Sequence, residues 1–79
     1  MSMVFKHDLS HFHQMLIPSG KVVLAGAQNG NPYVWVIGDG GRGRYMRVFA
    51  TGQEIPEGWT HVYSFQDSAY VWHVFEYPT

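Results

Sequence analysis

The residues best suited to chemistry form a segment rich in glycine and arginine, with GGRGR at residues 40–44 and a further arginine at position 47. Glycines allow successive backbone N–H groups to converge on an anion, and arginines offer fork-shaped donors that match phosphate. The segment therefore predicts that Arg42, Arg44 and Arg47 hold a phosphate group. The alternative interpretation is a flexible hairpin loop whose arginines keep the protein soluble.

Aromatic and polar side chains near this segment complete a candidate site for a nucleotide-like ligand. We expect Tyr45 and Trp59 to stack on a base, with Tyr33 as a further platform. In the loop TGQEIPEGW at residues 51–59, Gln53 or Glu54 would read a base or sugar edge, because long loops on small scaffolds are often functional. The alternative is a plain connection that anchors an isoleucine in the core.

Three of the five histidines, His7, His11 and His13, are close in sequence. His11 and His13 would share a face if this segment were a strand, and three imidazoles can bind zinc. However, Asp8 would point to the opposite face, and the chain has no HExxH spacing. We therefore interpret these histidines as solvated or hydrogen-bonded, and we predict neither a metal site nor a cofactor.

The sequence gives little support for catalysis. It contains no cysteine, which excludes a thiol nucleophile, a thiolate zinc site and a disulfide. The chain shows no Ser-His-Asp order that could be assigned, and no spacing of carboxylates that marks a general acid and base. We therefore predict a protein that is not an enzyme.

Length and composition indicate one domain that associates with copies of itself. A chain of 79 residues is near the lower limit for an independent core, and its 16% aromatic content exceeds its 14% charged content. We therefore expect a homo-oligomer that buries some of the rings. A formal net charge of −1 argues against general nucleic-acid binding. The sequence has neither an apolar signal-peptide core nor a run of about 18 apolar residues, which predicts no membrane partner.

The elements that must position these residues are organised around a hairpin at residues 21–37, in which two apolar runs flank Asn29-Gly30. Asn-Gly is the strongest short signal for a type I′ turn. Gly26 would lie opposite Tyr33, whose ring would be free to cover the backbone of this glycine. Both faces of the hairpin are apolar and need cover from a second sheet or another subunit. The predicted pairs are Gln28–Asn31, Ala27–Pro32, Gly26–Tyr33, Ala25–Val34, Leu24–Trp35, Val23–Val36 and Val22–Ile37.

Alternating polarity and turn residues predict further strands on both sides of the hairpin. The expected strands cover residues 3–9, 14–17, 44–51, 59–66 and 70–77. Between the first two, a serine could instead cap a single helical turn. The whole chain, residues 1–79, is predicted to be a single all-β domain, a small antiparallel β-sandwich or partly open β-barrel of five to seven strands.

Three motifs resemble a family of small uncharacterised domains encoded mainly by bacteriophages and prophages. These are the closing VWHVFE at residues 71–76, the run RVFATGQEIP at 47–56 and the hairpin QNGNPYVWV at 28–36. A P-x-G turn in that family is matched by Pro18-Ser19-Gly20, and the histidine-rich residues 7–13 depart from its pattern. The resemblance implies a phage source and a β fold, and it brings no established activity.

The resemblance and the candidate site together suggest a phage accessory protein that acts against host defence. We expect it to bind a small anionic, nucleotide-derived immune signal in the host cytoplasm and to remove that signal from circulation without catalysis. Its small size suits a stoichiometric inhibitor. The alternatives are a protein-interaction module that inhibits a host protein and a minor virion or assembly component.

Overall fold

The computed structural model describes residues 2–38 and 41–78 of the chain. This part forms no helix, and so none that could cross a membrane. Its strands are β1 (Met3–Asp8), β2 (Met15–Ile17), β3 (Lys21–Gln28), β4 (Asn31–Gly38), β5 (Arg44–Ala50), β6 (Thr60–Asp67) and β7 (Tyr70–Pro78).

The strands form two antiparallel sheets. Sheet A has the order β1-β4-β3, and sheet B has the order β2-β5-β7-β6. Strand β3 at one edge of sheet A lies close to β6 at one edge of sheet B. The all-β prediction is therefore confirmed, and the architecture is a small sandwich of two separate sheets rather than a closed barrel.

The core lies between the sheets and is entirely apolar. Among the described residues, no polar or charged side chain is buried. The core residues are Ala25, Val34 and Val36 from sheet A, Met46, Val48, Val74 and Ile17 from sheet B, and Leu9 from the connection between β1 and β2.

The β3–β4 hairpin turns at Asn29 and Gly30, whose φ angles of 54° and 79° both lie in the left-handed region. A type I′ turn needs positive φ at both central residues, which asparagine and glycine tolerate best. The pairs beyond the turn follow the predicted register as far as Leu24 opposite Trp35. This half of the hairpin is therefore confirmed.

A β-bulge at Val23 shifts the pairing in the other half of the hairpin. Val22 lies opposite Val36, where a regular register predicted Ile37. A bulge inserts one extra residue and so changes the face on which the following side chains lie. The predicted pairs Val23–Val36 and Val22–Ile37 were therefore wrong, and Val22 packs against the core.

The predicted contact between Tyr33 and Gly26 is also wrong. A Cβ atom added at Gly26 would have no atom of residues 2–38 and 41–78 within 4 Å, so the Tyr33 ring does not cover this backbone. The ring of Tyr33 instead contacts β1, where Nζ of Lys6 lies 4.1 Å from the ring centroid. A cation–π contact of this kind attracts the ring toward the ammonium group.

A second bulge, at Val62 in β6, decides which side chains meet on sheet B. His61 lies opposite Phe75, whereas Tyr63 lies opposite Val74, the preceding residue of β7. Neighbouring residues of a strand point to opposite faces. His61 therefore lies on the outer face of sheet B, although simple alternation would place it with Tyr63 on the core side.

Candidate functional site

The guanidinium of Arg44 is committed to contacts inside the protein. Its Nε–H donates to Oε1 of Glu76 at 3.2 Å, while Nη1 and Nη2 donate to the carbonyls of Pro18 at 2.6 Å and Gly20 at 2.9 Å. The side chain is only 14% exposed. Arg44 therefore ties β5 and β7 to the turn between β2 and β3.

Arg42 and Arg44 border an open cavity of about 660 Å³ at one end of the sandwich, which we call the end cleft. The carboxylate of Glu76 also borders this cavity, and a carboxylate repels an anion. The glycine at position 40 lies outside the described residues. The lining residues are Ser19, Gly20, Arg42, Gly43, Arg44, Thr60, Glu76 and Pro78.

Arg47 lies on the opposite face of β5 and borders a different cavity. This cavity, of about 410 Å³, is lined by His11, Phe12, Arg47, Ala50, Gln53 and Trp72, and we call it the β5-edge pocket. Within residues 2–38 and 41–78, the Arg47 guanidinium forms no hydrogen bond or ion pair, and its Nε is buried without a partner. Its Cζ lies 4.7 Å from the centroid of the Phe49 ring. Arg47 therefore has side-chain donors at Nη1 and Nη2 that an anion could use.

Gln53 closes one end of the β5-edge pocket by binding the last residue of β5. Its Oε1 accepts the N–H of Ala50 at 3.0 Å, and its own N–H donates to the Ala50 carbonyl at 3.0 Å. Gln53 thus bonds to Ala50 much as a residue of a paired strand would, and its side-chain NH₂ group has no hydrogen-bond partner among the described residues. Glu54 is exposed beside it and does not line the pocket.

Three aromatic side chains that were not predicted as ligand-binding residues, His11, Phe12 and Trp72, form a wall of the β5-edge pocket. The rings of His11 and Trp72 lie 4.7 Å apart, and Phe12 is 77% exposed. Ser10 holds this segment, because its Oγ accepts the backbone N–H groups of Phe12 and His13 at 3.1 Å. The segment is thus a short hydrogen-bonded bend, and the helical turn that was the alternative for it does not form.

Tyr45 and Trp59 lie on the outer face of sheet B and line neither cavity. The ring of Trp59 is 5.9 Å from that of Phe49 and 5.3 Å from that of Tyr77. Phe49 is only 1% exposed although it points away from the core. Trp59 therefore covers Phe49, and loop 51–59 folds back over sheet B. Tyr33 is more distant still, on sheet A.

The three histidines considered as zinc ligands have different surroundings. His7 borders a small cavity beside Phe5 at the edge of sheet A, while His11 stacks on Trp72. His13 is exposed in the bend. In the described part of the chain, no three side chains of His, Cys, Asp or Glu converge as a metal site.

A chain of hydrogen bonds on the outer face of sheet B was not predicted from the sequence. Ser64 Oγ lies 2.7 Å from His61 Nε2 and 2.7 Å from His73 Nδ1. Thr51 Oγ1 lies 2.8 Å from His73 Nε2 and donates to the carbonyl of Val71 at 3.2 Å. Regular alternation would place His61 and Ser64 on opposite faces of the sheet, so it does not predict this cluster. The bulge at Val62 places both side chains on the same face.

Comparison with known proteins gives a family but no activity. No curated protein and no solved structure matches the chain. One family model matches residues 1–79, and its description is a domain of unknown function, DUF7352. Because this match spans the whole chain, the protein belongs to the DUF7352 family.

Proposed function

We propose that this protein is a phage accessory protein that sequesters a small anionic, nucleotide-derived immune signal in the host cytoplasm. In this proposal the protein binds the signal without changing it and so counters host defence. The observation that carries the proposal is the β5-edge pocket, where an arginine with uncommitted donors lies beside stacked aromatic side chains. Its volume is within the range of about 300–1,000 Å³ that is typical of small-ligand sites.

The electrostatics favour the β5-edge pocket over the end cleft as the anion site. No carboxylate is among its described lining residues, whereas Glu76 borders the end cleft. Arg44 in the end cleft has already given three of its donors to Glu76 and two carbonyls. Arg47 would offer the N–H groups of Nη1 and Nη2 to a phosphate, since only its Nε is buried, and such charge-assisted hydrogen bonds are about twice as strong as neutral ones.

The remaining groups of the pocket suit a nucleobase and a sugar. A base stacked on Trp72, or on the exposed ring of Phe12, would gain about 1–3 kcal/mol. The side-chain NH₂ of Gln53 would donate to a base or ribose oxygen. Tyr45, Trp59 and Tyr33 have no part in this revised site, and Glu54 would contact only a ligand that extends beyond the pocket.

The first test is a thermal-shift and calorimetric screen of the purified protein with linear and cyclic nucleotides and ADP-ribose derivatives. A ligand at a hundred times its Kd stabilises a protein by about 2.7 kcal/mol. For a domain of this size, that corresponds to a rise in Tm of about 10 °C or more. Recovery of the intact ligand after denaturation would show that binding occurs without turnover.

Arg47→Gln and Arg42→Gln form a matched pair for this screen, because each removes one positive charge from a different cavity. We expect Arg47→Gln to abolish the ligand-induced shift and Arg42→Gln to retain it. The reverse result would assign the ligand to the end cleft. A wild-type protein whose Tm responds to no member of the panel would refute sequestration of these compounds.

A second candidate function is inhibition of a host protein through an exposed edge of the sandwich. Strand β1 is an edge strand, and Met3, Val4 and Phe5 are 54%, 56% and 42% exposed. Exposed apolar edge strands pair readily with strands of other chains. The same edge would serve the homo-oligomer that the composition suggests.

Val4→Lys separates these possibilities from ligand binding, because it places a charge on the edge and leaves the β5-edge pocket unchanged. We expect Val4→Lys to prevent self-association in native mass spectrometry or capture of a host partner. If the wild-type protein is monomeric and Val4→Lys changes no interaction with a host protein, the edge has no role in binding.

A further inference from the structure

A chain of hydrogen bonds on the outer face of sheet B connects Thr51, His73 and Ser64. The contacts of Thr51, at one end of this chain, show which atom donates and which accepts in each bond. The Thr51 hydroxyl donates to the carbonyl of Val71, so it accepts the N–H of His73 Nε2. A neutral imidazole with its proton on Nε2 has a lone pair on Nδ1. The structure therefore directs the Nδ1 lone pair of His73 toward Ser64 Oγ, 2.7 Å away.

A second imidazole nitrogen is directed at the same point from the neighbouring strand. Nε2 of His61 also lies 2.7 Å from Ser64 Oγ, and the two rings have centroids 6.4 Å apart. Because both nitrogens lie 2.7 Å from the same oxygen, Ser64 Oγ, the distance between them is at most twice 2.7 Å. His61 and Ser64 are exposed, so water has access to the space between the rings.

We propose that His61 Nε2 and His73 Nδ1 bind a divalent transition-metal ion, of the class of Cu²⁺, Ni²⁺ or Zn²⁺. Imidazole nitrogens suit these ions, and they bind zinc at about 2.0–2.1 Å. Small rotations of the two rings would bring both nitrogens to such an ion, with Ser64 Oγ or water as further ligands. Without metal, Ser64 donates its one hydroxyl proton to His73 Nδ1, so His61 Nε2–H donates to Ser64 Oγ. Metal binding would therefore shift the His61 proton from Nε2 to Nδ1.

Thr51 gives this pair a feature common to metal-binding histidines. The ring nitrogen that does not bind the metal usually donates to a neighbouring oxygen, which fixes the tautomer and the orientation of the ring. Thr51 Oγ1 provides that acceptor for His73 and is itself held by the Val71 carbonyl. The proposed site therefore has an oriented ligand before any metal binds.

The test is isothermal titration calorimetry of the full chain with copper, nickel and zinc chlorides in turn, supported by native mass spectrometry for stoichiometry. We expect one ion per chain, with Cu²⁺ bound most tightly. His61→Gln and His73→Gln should each weaken binding by at least about tenfold. His11→Gln and His13→Gln are matched controls and should leave the affinity unchanged.

Thr51→Val tests the orienting role without removing an imidazole, and it should weaken binding by about tenfold. With Ni²⁺ or Cu²⁺, we expect paramagnetic loss of amide NMR signals around residues 61, 64 and 73. Absence of binding would overturn the proposal. So would equal affinity of wild type and His73→Gln, or loss of affinity in a control variant whose melting profile is unchanged.

Discussion

Replacement of Arg44 by methionine should destabilise the protein in the absence of any ligand. Methionine keeps an unbranched apolar chain inside the sandwich but removes the donors to Glu76, Pro18 and Gly20. The two hydrogen bonds to carbonyls are worth about 1–1.5 kcal/mol each. The ion pair adds less than about 1 kcal/mol, because the Glu76 side chain is 38% exposed and solvent screens it.

The expected loss is therefore about 2–4 kcal/mol in the free energy of unfolding. In a domain of this size it would lower Tm by about 10–30 °C. Urea unfolding followed by tryptophan fluorescence measures the first quantity, and differential scanning calorimetry measures the second. Glu76→Gln retains an acceptor for Arg44 and should cost less than about 1 kcal/mol.

Lys21→Met is the control, because Lys21 is an exposed cation at the start of β3 whose side chain makes none of these hydrogen bonds, although it directly follows Gly20. If Arg44→Met and Lys21→Met unfold at the same urea concentration, the assignment of Arg44 to structural support is wrong. The stability of Arg44→Met also determines how its ligand binding should be interpreted. A lost ligand response in an Arg44 variant would reflect the weakened fold, and so Arg47 is the informative position.

Three further substitutions test the packing around the two sheets. Phe49→Ala should cost about 3–5 kcal/mol in urea unfolding, and a cost below about 1 kcal/mol would show that the ring is not buried under loop 51–59. Gly58→Ala should destabilise more than Gly52→Ala, because both have positive φ but only a Cβ at Gly58 meets the Tyr77 ring, at 2.5 Å; equal unfolding midpoints would contradict this. Gly26→Ala should stabilise by about 0.5–1 kcal/mol, since the position is open, and a lower Tm would refute that.

Local chemistry was sufficient to predict much of the fold. Asn29-Gly30 determined the turn of the central hairpin, and alternation located all seven strands to within one or two residues. The bulges at Val23 and Val62 were not predictable in this way. A bulge is selected by the packing of a strand against its neighbours, and the sequence of one strand carries little sign of it.

The division of the predicted arginines between two cavities was, in contrast, accessible from the sequence. Arg44 and Arg47 are three residues apart on one strand, and an odd separation places side chains on opposite faces. They could share a ligand only if the strand were distorted between them, and β5 pairs regularly with β7 along its length. Each charged residue of a strand must therefore be assigned to one face of the sheet before several of them are grouped into a site.

The shortness of β2 explains why the β5-edge pocket exists. β2 pairs with β5 only from Arg44 to Met46, although β5 continues to Ala50. Along the rest of β5, no strand of the described chain pairs with that edge. The bend that precedes β2 approaches the edge instead and brings His11 onto Trp72. A longer β2 would pair with Arg47 and fill this space. The pocket is therefore a consequence of strand length, which the apolar pattern of residues 14–17 had already limited to four residues.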